Sequence, residues 1–184
     1  MKNYFMYILL FNLAIIFLCF NYTMSINSIN DICKKASNID PNFTYQFCVS
    51  FLASNPKSKS ANLEGLVLIS IKLTISNSTN IISHISQLLK HKKMDPYING
   101  ALKDCLEHYS NANSELHEAI SDLTKSKKDY SKANIDVSAA MDLSTTCEDG
   151  FKEKKGVVSP LKKENKMFFQ MTAIILSFMK LMHI

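Results

Sequence analysis

The chain has no tryptophan and no arginine, and only four glycines and four prolines in 184 residues. All-β folds need frequent turn residues, so this scarcity points to helices. Every cation is a lysine. Without guanidinium forks there is no bidentate phosphate recognition, and no nucleic-acid partner is expected. Gly65, Gly100, Gly150 and Gly156 are too far apart to form a phosphate-cradling loop. No C-x-x-C occurs, and His84, His91, His108, His117 and His183 form neither H-E-x-x-H nor H-x-x-x-H. His84 and His91 stand two helical turns apart, too far to share one ion. No metal and no cofactor are expected. Glu115 and Glu118 make a local acidic pair, but with no pocket to shift a pKa it reads as solvated. No catalytic set emerges, and the chain reads as a binder rather than an enzyme.

Apolar residues make up 47% of the sequence, enough for the core of one domain. Lys2 precedes an apolar run from Tyr4 to Phe20 broken only by Asn12, and Thr23-Met24-Ser25 follows. This is the pattern of a secretory leader, with cleavage expected near Ser25, and the run is short for a membrane span. Residues 1–25 are therefore assigned to a signal peptide and 26–184 to the mature domain. Cys19 leaves with the leader, and Cys33, Cys48, Cys105 and Cys147 remain. An even number in an oxidising compartment suggests two disulfides. Three pairings are possible; joining neighbours is the simplest, and each such loop closure contributes about 3–4 kcal/mol. Two glycosylation sequons survive cleavage, at Asn42 and Asn77, while the one at Asn21 does not. The net charge is +5, with lysines in scattered pairs such as Lys34-Lys35 and Lys162-Lys163. This reads as a solvated surface, with weak attraction to an acidic polysaccharide or partner as the second reading.

Two short helices are predicted between Ile26 and Ser54 around Asp40-Pro41, with Cys33 on the first and Cys48 on the second. Such a hairpin is too short to stand alone, so a bridge across it has an evident role. Ser54 to Ser60 reads as a linker. Four longer helices follow: Asn62 to His91, Asp95 to Leu123, Tyr130 to about Phe151, and Ser159 to Ile184. Asp40-Pro41, Asp95-Pro96 and Ser159-Pro160 each pair a capping side chain with proline at the first helical position. The predicted core stripes run through Leu63, Leu66, Ile69, Leu73, Ile81, Ile85 and Leu88, and through Leu102, Tyr109, Leu116 and Leu123 with Leu106 and Ile120. They continue through Ile135, Val137, Ala140, Met141 and Leu143, and through Leu161, Phe168, Ile175 and Met182 with Met171 and Phe178. Met167 to Ile184 is apolar enough to suggest a membrane span, but Lys166, Gln170, Ser177 and Lys180 mark a polar face. It reads as a core helix, without stable membrane association. The expected fold is all-α: an up-down-up-down four-helix bundle (61–184) preceded by a helical hairpin (26–54).

Four segments carry a family resemblance: ICKKASNIDPNFTYQFC, ALKDCLEHYSNANSELHEAISDL, VSAAMDLSTTCEDGF and SPLKKENKMFFQMTAIILSFMKLM. Together, from about Asp31 to Leu181, they resemble the plant invertase/pectin methylesterase inhibitor family, most of all its pollen-type members, which include a plane-tree pollen allergen. The resemblance implies the four-helix bundle with its N-terminal hairpin, and the pairings Cys33–Cys48 and Cys105–Cys147. It implies a secreted, apoplastic inhibitor that forms a one-to-one complex with a pectin methylesterase or a cell-wall or vacuolar invertase and covers the substrate cleft. The resemblance implies different faces for the two targets, with the pectin methylesterase type binding through a side of the bundle. Invertase inhibitors of this family resemble one another in a Pro-Lys-Phe element, before the third bundle helix, that enters the invertase active site. Here that place reads Asp129-Tyr130-Ser131-Lys132-Ala133. Lys132 matches the lysine, the proline and phenylalanine have no counterpart, and Tyr130, Ser131 and Lys132 are the candidate target-binding residues. Two other readings fit the sequence: a non-inhibitory, allergen-type binding protein on the same scaffold, and a carrier of small apolar ligands using its nine methionines. In a mildly acidic apoplast, His84, His91, His108 and His117 are expected to make binding vary between about pH 5 and 7.

Overall fold

A computed structural model describes residues 29–90 and 93–182. The expected signal peptide with its expected cleavage near Ser25, Cys19, the Asn21 sequon, His91 and His183 lie outside the described residues. Two short helices, α1 (Ile29–Ile39) and α2 (Tyr45–Ala53), precede a 3-10 turn at Pro56–Ser60. Four long helices follow: α3 (Leu63–Leu88), α4 (Pro96–Thr124), α5 (Tyr130–Lys152) and α6 (Lys162–Leu181). Each long helix packs against its sequence neighbours and α6 closes back onto α3, while α1 lies on α2 and α6. The chain forms an all-helical bundle headed by a helical hairpin.

Local chemistry sets most helix starts. Asp95 accepts hydrogen bonds from the Tyr97 and Ile98 N–H groups at 2.9 and 3.2 Å, with Pro96 at the first helical position. Asn62 caps α3 through the Gly65 N–H at 2.8 Å. A Cβ at Gly65 would stand 3.2 Å from that same Asn62 oxygen, so glycine keeps the cap undisturbed. The other two proline signals work differently from the sequence reading. Asp40 accepts from the Asn42 N–H at 2.8 Å and shapes a turn, and Thr44 caps α2 through the Phe47 N–H at 3.2 Å. Ser159 accepts from the Leu161 N–H at 3.1 Å, and α6 begins after that turn with no side-chain cap. In both places the side chain is satisfied two residues on, a local alternative to helix capping. Gly156 takes the left-handed conformation (φ 88°) that the α5–α6 connection requires.

The stripe Leu102, Tyr109, Leu116 and Leu123 is fully buried, and its second row is Cys105, Ala112 and Ala119. Leu106 and Ile120 pack only part-buried at its edge. On α3 the core positions of the middle turns belong to Ser70, Thr74 and Ser78, all 0% exposed, while Ile69 and Leu73 are only half-buried. These small residues let neighbouring helices approach closely. Thr74 returns its hydroxyl to the Ser70 carbonyl at 2.8 Å. Asn113 of α4 donates to the Ser78 hydroxyl at 2.7 Å. On α5 the buried stripe is Ala133, Val137, Ala140, Ser144, Cys147 and Phe151, and Ile135 is left 63% exposed. Ser177 of α6 is buried rather than solvated, and residues 171–175 are buried in an unbroken run. The hairpin explains this, because α1 covers the side of α6 that an isolated bundle would leave open. Among the described helices, α3 is the one long and apolar enough to cross a membrane.

Two disulfides are present. Cys33–Cys48 staples α1 to α2 with Cα atoms 5.6 Å apart, and Cys105–Cys147 joins α4 to α5 at 4.8 Å. A polar chain crosses the bundle interior nearby. The buried Tyr109 hydroxyl donates to Asn165 Oδ1 at 2.6 Å, and Asn165 Nδ2 donates to Glu148 Oε2 at 2.8 Å. The Tyr109 ring meets Phe168 edge-on, with centroids 5.3 Å apart. Burial, with Glu164 and Glu148 nearby, pushes the Tyr109 hydroxyl well above the ordinary tyrosine value, so it stays neutral and donating.

Candidate target-binding site

The turn between α4 and α5, residues 125–129, lies beside the start of α3. The Asp129 N–H donates to the Asp122 carbonyl at 2.9 Å and closes the turn. The Asp129 side chain then caps α5 through the Lys132 N–H at 3.0 Å. Lys128 pairs with Glu64 of α3, and the Tyr130 hydroxyl donates to the same carboxylate at 3.3 Å. The hydrogen bond from Lys128 holds Glu64 below, and Lys128 above, their ordinary values. Ser131 is exposed at the first turn of α5.

Lys132 does not reach outward. Its ammonium lies 3.2 and 3.1 Å from the two Asp136 carboxylate oxygens and 3.1 Å from Asp122 Oδ2. The last contact is off the direction of a hydrogen bond, and that oxygen is buried with no hydrogen-bond partner. Lys125 meets the other Asp122 oxygen at 2.8 Å. Asp122 and Asp136 are each 5% exposed and share one cation between them. Hydrogen bonding from Lys125, with the Lys132 ammonium close by, holds Asp122 below the usual carboxylate range against the opposing cost of burial. Burial pushes Asp136 above that range, and Lys132 only partly offsets it. Lys132 itself is raised by Asp136 and then Asp122. The match to the Pro-Lys-Phe lysine thus falls on a residue that braces the turn. Among the described residues, Lys127 has no ion-pair partner, and it shares the exposed end of the molecule with Ser131 and Ile135. Ile135, expected from the sequence in the core stripe, is exposed instead, because it lies off the Ala133-Val137-Ala140 spacing that defines the buried face.

The side of the bundle that leads away from this turn is acidic. Helices α4 and α5 carry nine of the chain's sixteen carboxylates and only three of its twenty-one lysines. A groove of about 560 Å3 runs between them beside Cys105–Cys147, lined by Asp104, Glu107, His108, Asp149 and Glu153. Tyr97 donates to the Gly150 carbonyl at 2.6 Å at the groove's edge. A second groove extends past Thr146 between Glu115 and Asp142. His108 faces the first groove, whereas His84 lies 3.4 Å from Glu164 of α6. Among the described residues no group of three or more histidine, cysteine or acidic side chains is arranged to hold a metal ion.

Of the sequons, Asn42 is exposed in the α1–α2 turn, where its carbonyl accepts from Gln170 Nε2 at 3.2 Å. Asn77 is half-buried in the middle of α3.

The profile of the plant invertase/pectin methylesterase inhibitor family matches residues 27–178. A Platanus orientalis protein named "Putative invertase inhibitor" is 46% identical over 165 residues, which is 90% of this chain and 95% of that protein. "Pectinesterase inhibitor 12" of Arabidopsis thaliana is 38% identical over 82% of this chain and 84% of its own. The crystal structure of a mutant form of a pectin methylesterase inhibitor from Arabidopsis superposes with a TM-score of 0.67 at 27% identity, covering 83% of this chain and 95% of that one. Spanning this bundle, its hairpin and its acidic side together, these matches show that the chain belongs to the plant invertase/pectin methylesterase inhibitor family.

Proposed function

We propose that the protein is a secreted, apoplastic inhibitor without catalytic activity of its own, acting by a one-to-one complex that covers the substrate cleft of a pectin methylesterase. The observation that carries this reading is the charge of the α4–α5 side: apart from the buried Asp122–Lys132–Asp136 cluster, these helices present seven carboxylates against two lysines, in a chain of net charge +5. An enzyme that works on pectin handles a polyanion, and its cleft has to attract negative charge. Sucrose, the substrate of invertase, is neutral and sets no such requirement. The inward pairing of Lys132 with Asp122 and Asp136 further favours contact through the bundle side over insertion of the turn. In this reading Tyr130 and Lys132 hold the end of that side in place, and Lys127, Ser131 and Ile135 are the turn's outward contacts.

Acid invertase is the second reading, favoured by the name of the 46% identical Platanus relative. Titrating the oxidised, leader-free protein into a pectin methylesterase and into an acid invertase at about pH 5.5 separates them. Stoichiometric loss of the esterase activity is expected. Loss of invertase activity alone would reassign the target, and loss of neither across several isoforms would leave an allergen-type scaffold without inhibitory function.

A further inference from the structure

A third, uncharged groove of about 360 Å3 lies on the opposite flank, where α2, α3 and α6 meet. Its floor is apolar, made by Leu73, Met167 and Met171, and Phe47 and Phe51 of α2 lie nearly parallel along one wall, 7° apart. Asn77 and Asn80 of α3 form the other wall, with serine hydroxyls from both helices around them. No lysine, aspartate or glutamate lines it. Asn77 belongs to the sequon Asn77-Ser78-Thr79. Its Oδ1 is buried with no hydrogen-bond partner, whereas its Nδ2 is not among the buried unpartnered atoms and makes no hydrogen bond to the protein. Asn77 thus lines the groove with its carboxamide nitrogen, the atom that carries an N-linked sugar, unengaged by the protein.

We infer that Asn77 is N-glycosylated and that the first N-acetylglucosamine lies in this groove, bracing the hairpin against the bundle. A sugar residue presents an apolar ring face and a polar rim, which match parallel phenyl rings opposed by amides and hydroxyls. The rest of the glycan runs to solvent. The Ser78 side chain is fully buried, and the Thr79 hydroxyl is hydrogen-bonded to the Ile75 carbonyl at 2.9 Å. Modification therefore precedes the folding of α3. In that step Asn77 Nδ2 attacks the anomeric carbon of a lipid-linked oligosaccharide diphosphate. The C–N bond forms, the C–O bond to phosphate breaks, the amide proton is lost to solvent, and the lipid diphosphate leaves, with no change of oxidation state.

The inference rests on the secretion part of the proposed function and not on inhibition. Full-length protein expressed through a yeast secretory pathway and collected from the medium is digested and its Asn42 and Asn77 peptides are weighed. A hexosamine-based glycan on the Asn77 peptide is expected, and an unmodified Asn77 in secreted protein overturns the inference while leaving secretion intact. Cell-retained protein that keeps residues 1–25 and carries no glycan overturns both, since the leader is removed and the sugar donor is met only along that route. The seat is tested by hydrogen exchange after endoglycosidase trimming to one sugar. Amides of α2 are expected to exchange several-fold more slowly than in Asn77→Gln, and equal rates would overturn the seat.

Discussion

Two buried clusters make sharp predictions for single side chains. Removing the Tyr109 hydroxyl leaves Asn165 Oδ1 without the donor that stands 2.6 Å away, while the edge-on contact with Phe168 persists. Tyr109→Phe is expected to cost about 1–3 kcal/mol, because a buried acceptor is stranded. Urea unfolding checks this through a lower midpoint at unchanged slope; an unchanged midpoint would show that the Tyr109–Asn165 bond adds nothing. Lys132 gives a different signature, one that depends on pH. Asp122 is held low, so its stabilisation is present above about pH 4, its unfolded value, and is lost as pH falls through its folded value. Asp136 is held high, so its ionisation works against the fold as pH rises through its raised value. With Lys132→Met both carboxylates remain buried and Asp136 loses its cation. The melting-temperature deficit of the variant should therefore grow as pH rises from about 4, the ordinary carboxylate value, through the raised value of Asp136 and then level off. A deficit independent of pH would mean that Lys132 contributes only its methylene packing.

At the level of elements, the long regular helices were legible and the exceptions have physical causes. Leu102, Tyr109, Leu116 and Leu123 repeat every seven residues and are all buried, because a regular apolar period has one way to face a core. The centre of α3 was not legible, because Ser70, Thr74 and Ser78 hold core positions that hydropathy assigns to Ile69 and Leu73. The Thr74 and Ser78 hydroxyls are absorbed by the helix's own carbonyls and by Asn113, a solution invisible to a single-residue scale, and the small Ser70 is buried with its hydroxyl unpartnered. Ser177 was misread for a related reason: the hairpin covers its side of α6, and nothing within α6 announces that cover. At the candidate site the turn and its lysine could be placed from sequence, but the inward direction of Lys132 depends on Asp122, ten residues earlier on α4 and across the turn.

The hairpin also predicts a separable unit. Its helices have 11 and 9 residues, below the length at which isolated helices persist. The Cys33–Cys48 bridge closes a loop with a separation of 15 residues, worth about 3 kcal/mol. In a Cys33→Ala, Cys48→Ala variant, the α1 and α2 amides should lose most hydrogen-exchange protection while α4 keeps its own. Simultaneous loss in all helices would instead make hairpin and bundle one cooperative unit. Opening Cys105–Cys147, which spans 42 residues between α4 and α5, should loosen the turn and weaken inhibition. Full inhibition with both thiols confirmed free would show that the bundle alone holds it.

For the molecule as a whole, the division of charge matters more than its sum. A chain of net charge +5 would be repelled on average by a cationic cleft, yet α4 and α5 together carry a net negative charge along one side. Such an arrangement orients the approach: the acidic side leads and the lysine-rich remainder faces away. Asp104 and Glu107 are exposed on α4 at the first groove, so reversing both with Asp104→Lys and Glu107→Lys should leave the melting temperature nearly unchanged. Association with pectin methylesterase should slow by roughly tenfold or more at low ionic strength, with most of the change in the on-rate. Rising salt should slow the parent protein towards the variant's rate, because charges beyond about 10 Å are screened at 0.1 M. Reversal of Lys35, exposed on α1, serves as the control and should leave the rate nearly unchanged. Equal slowing by the α1 reversal, or a parent on-rate indifferent to salt, would mean that the acidic side does not guide docking and that the interface lies elsewhere on the bundle.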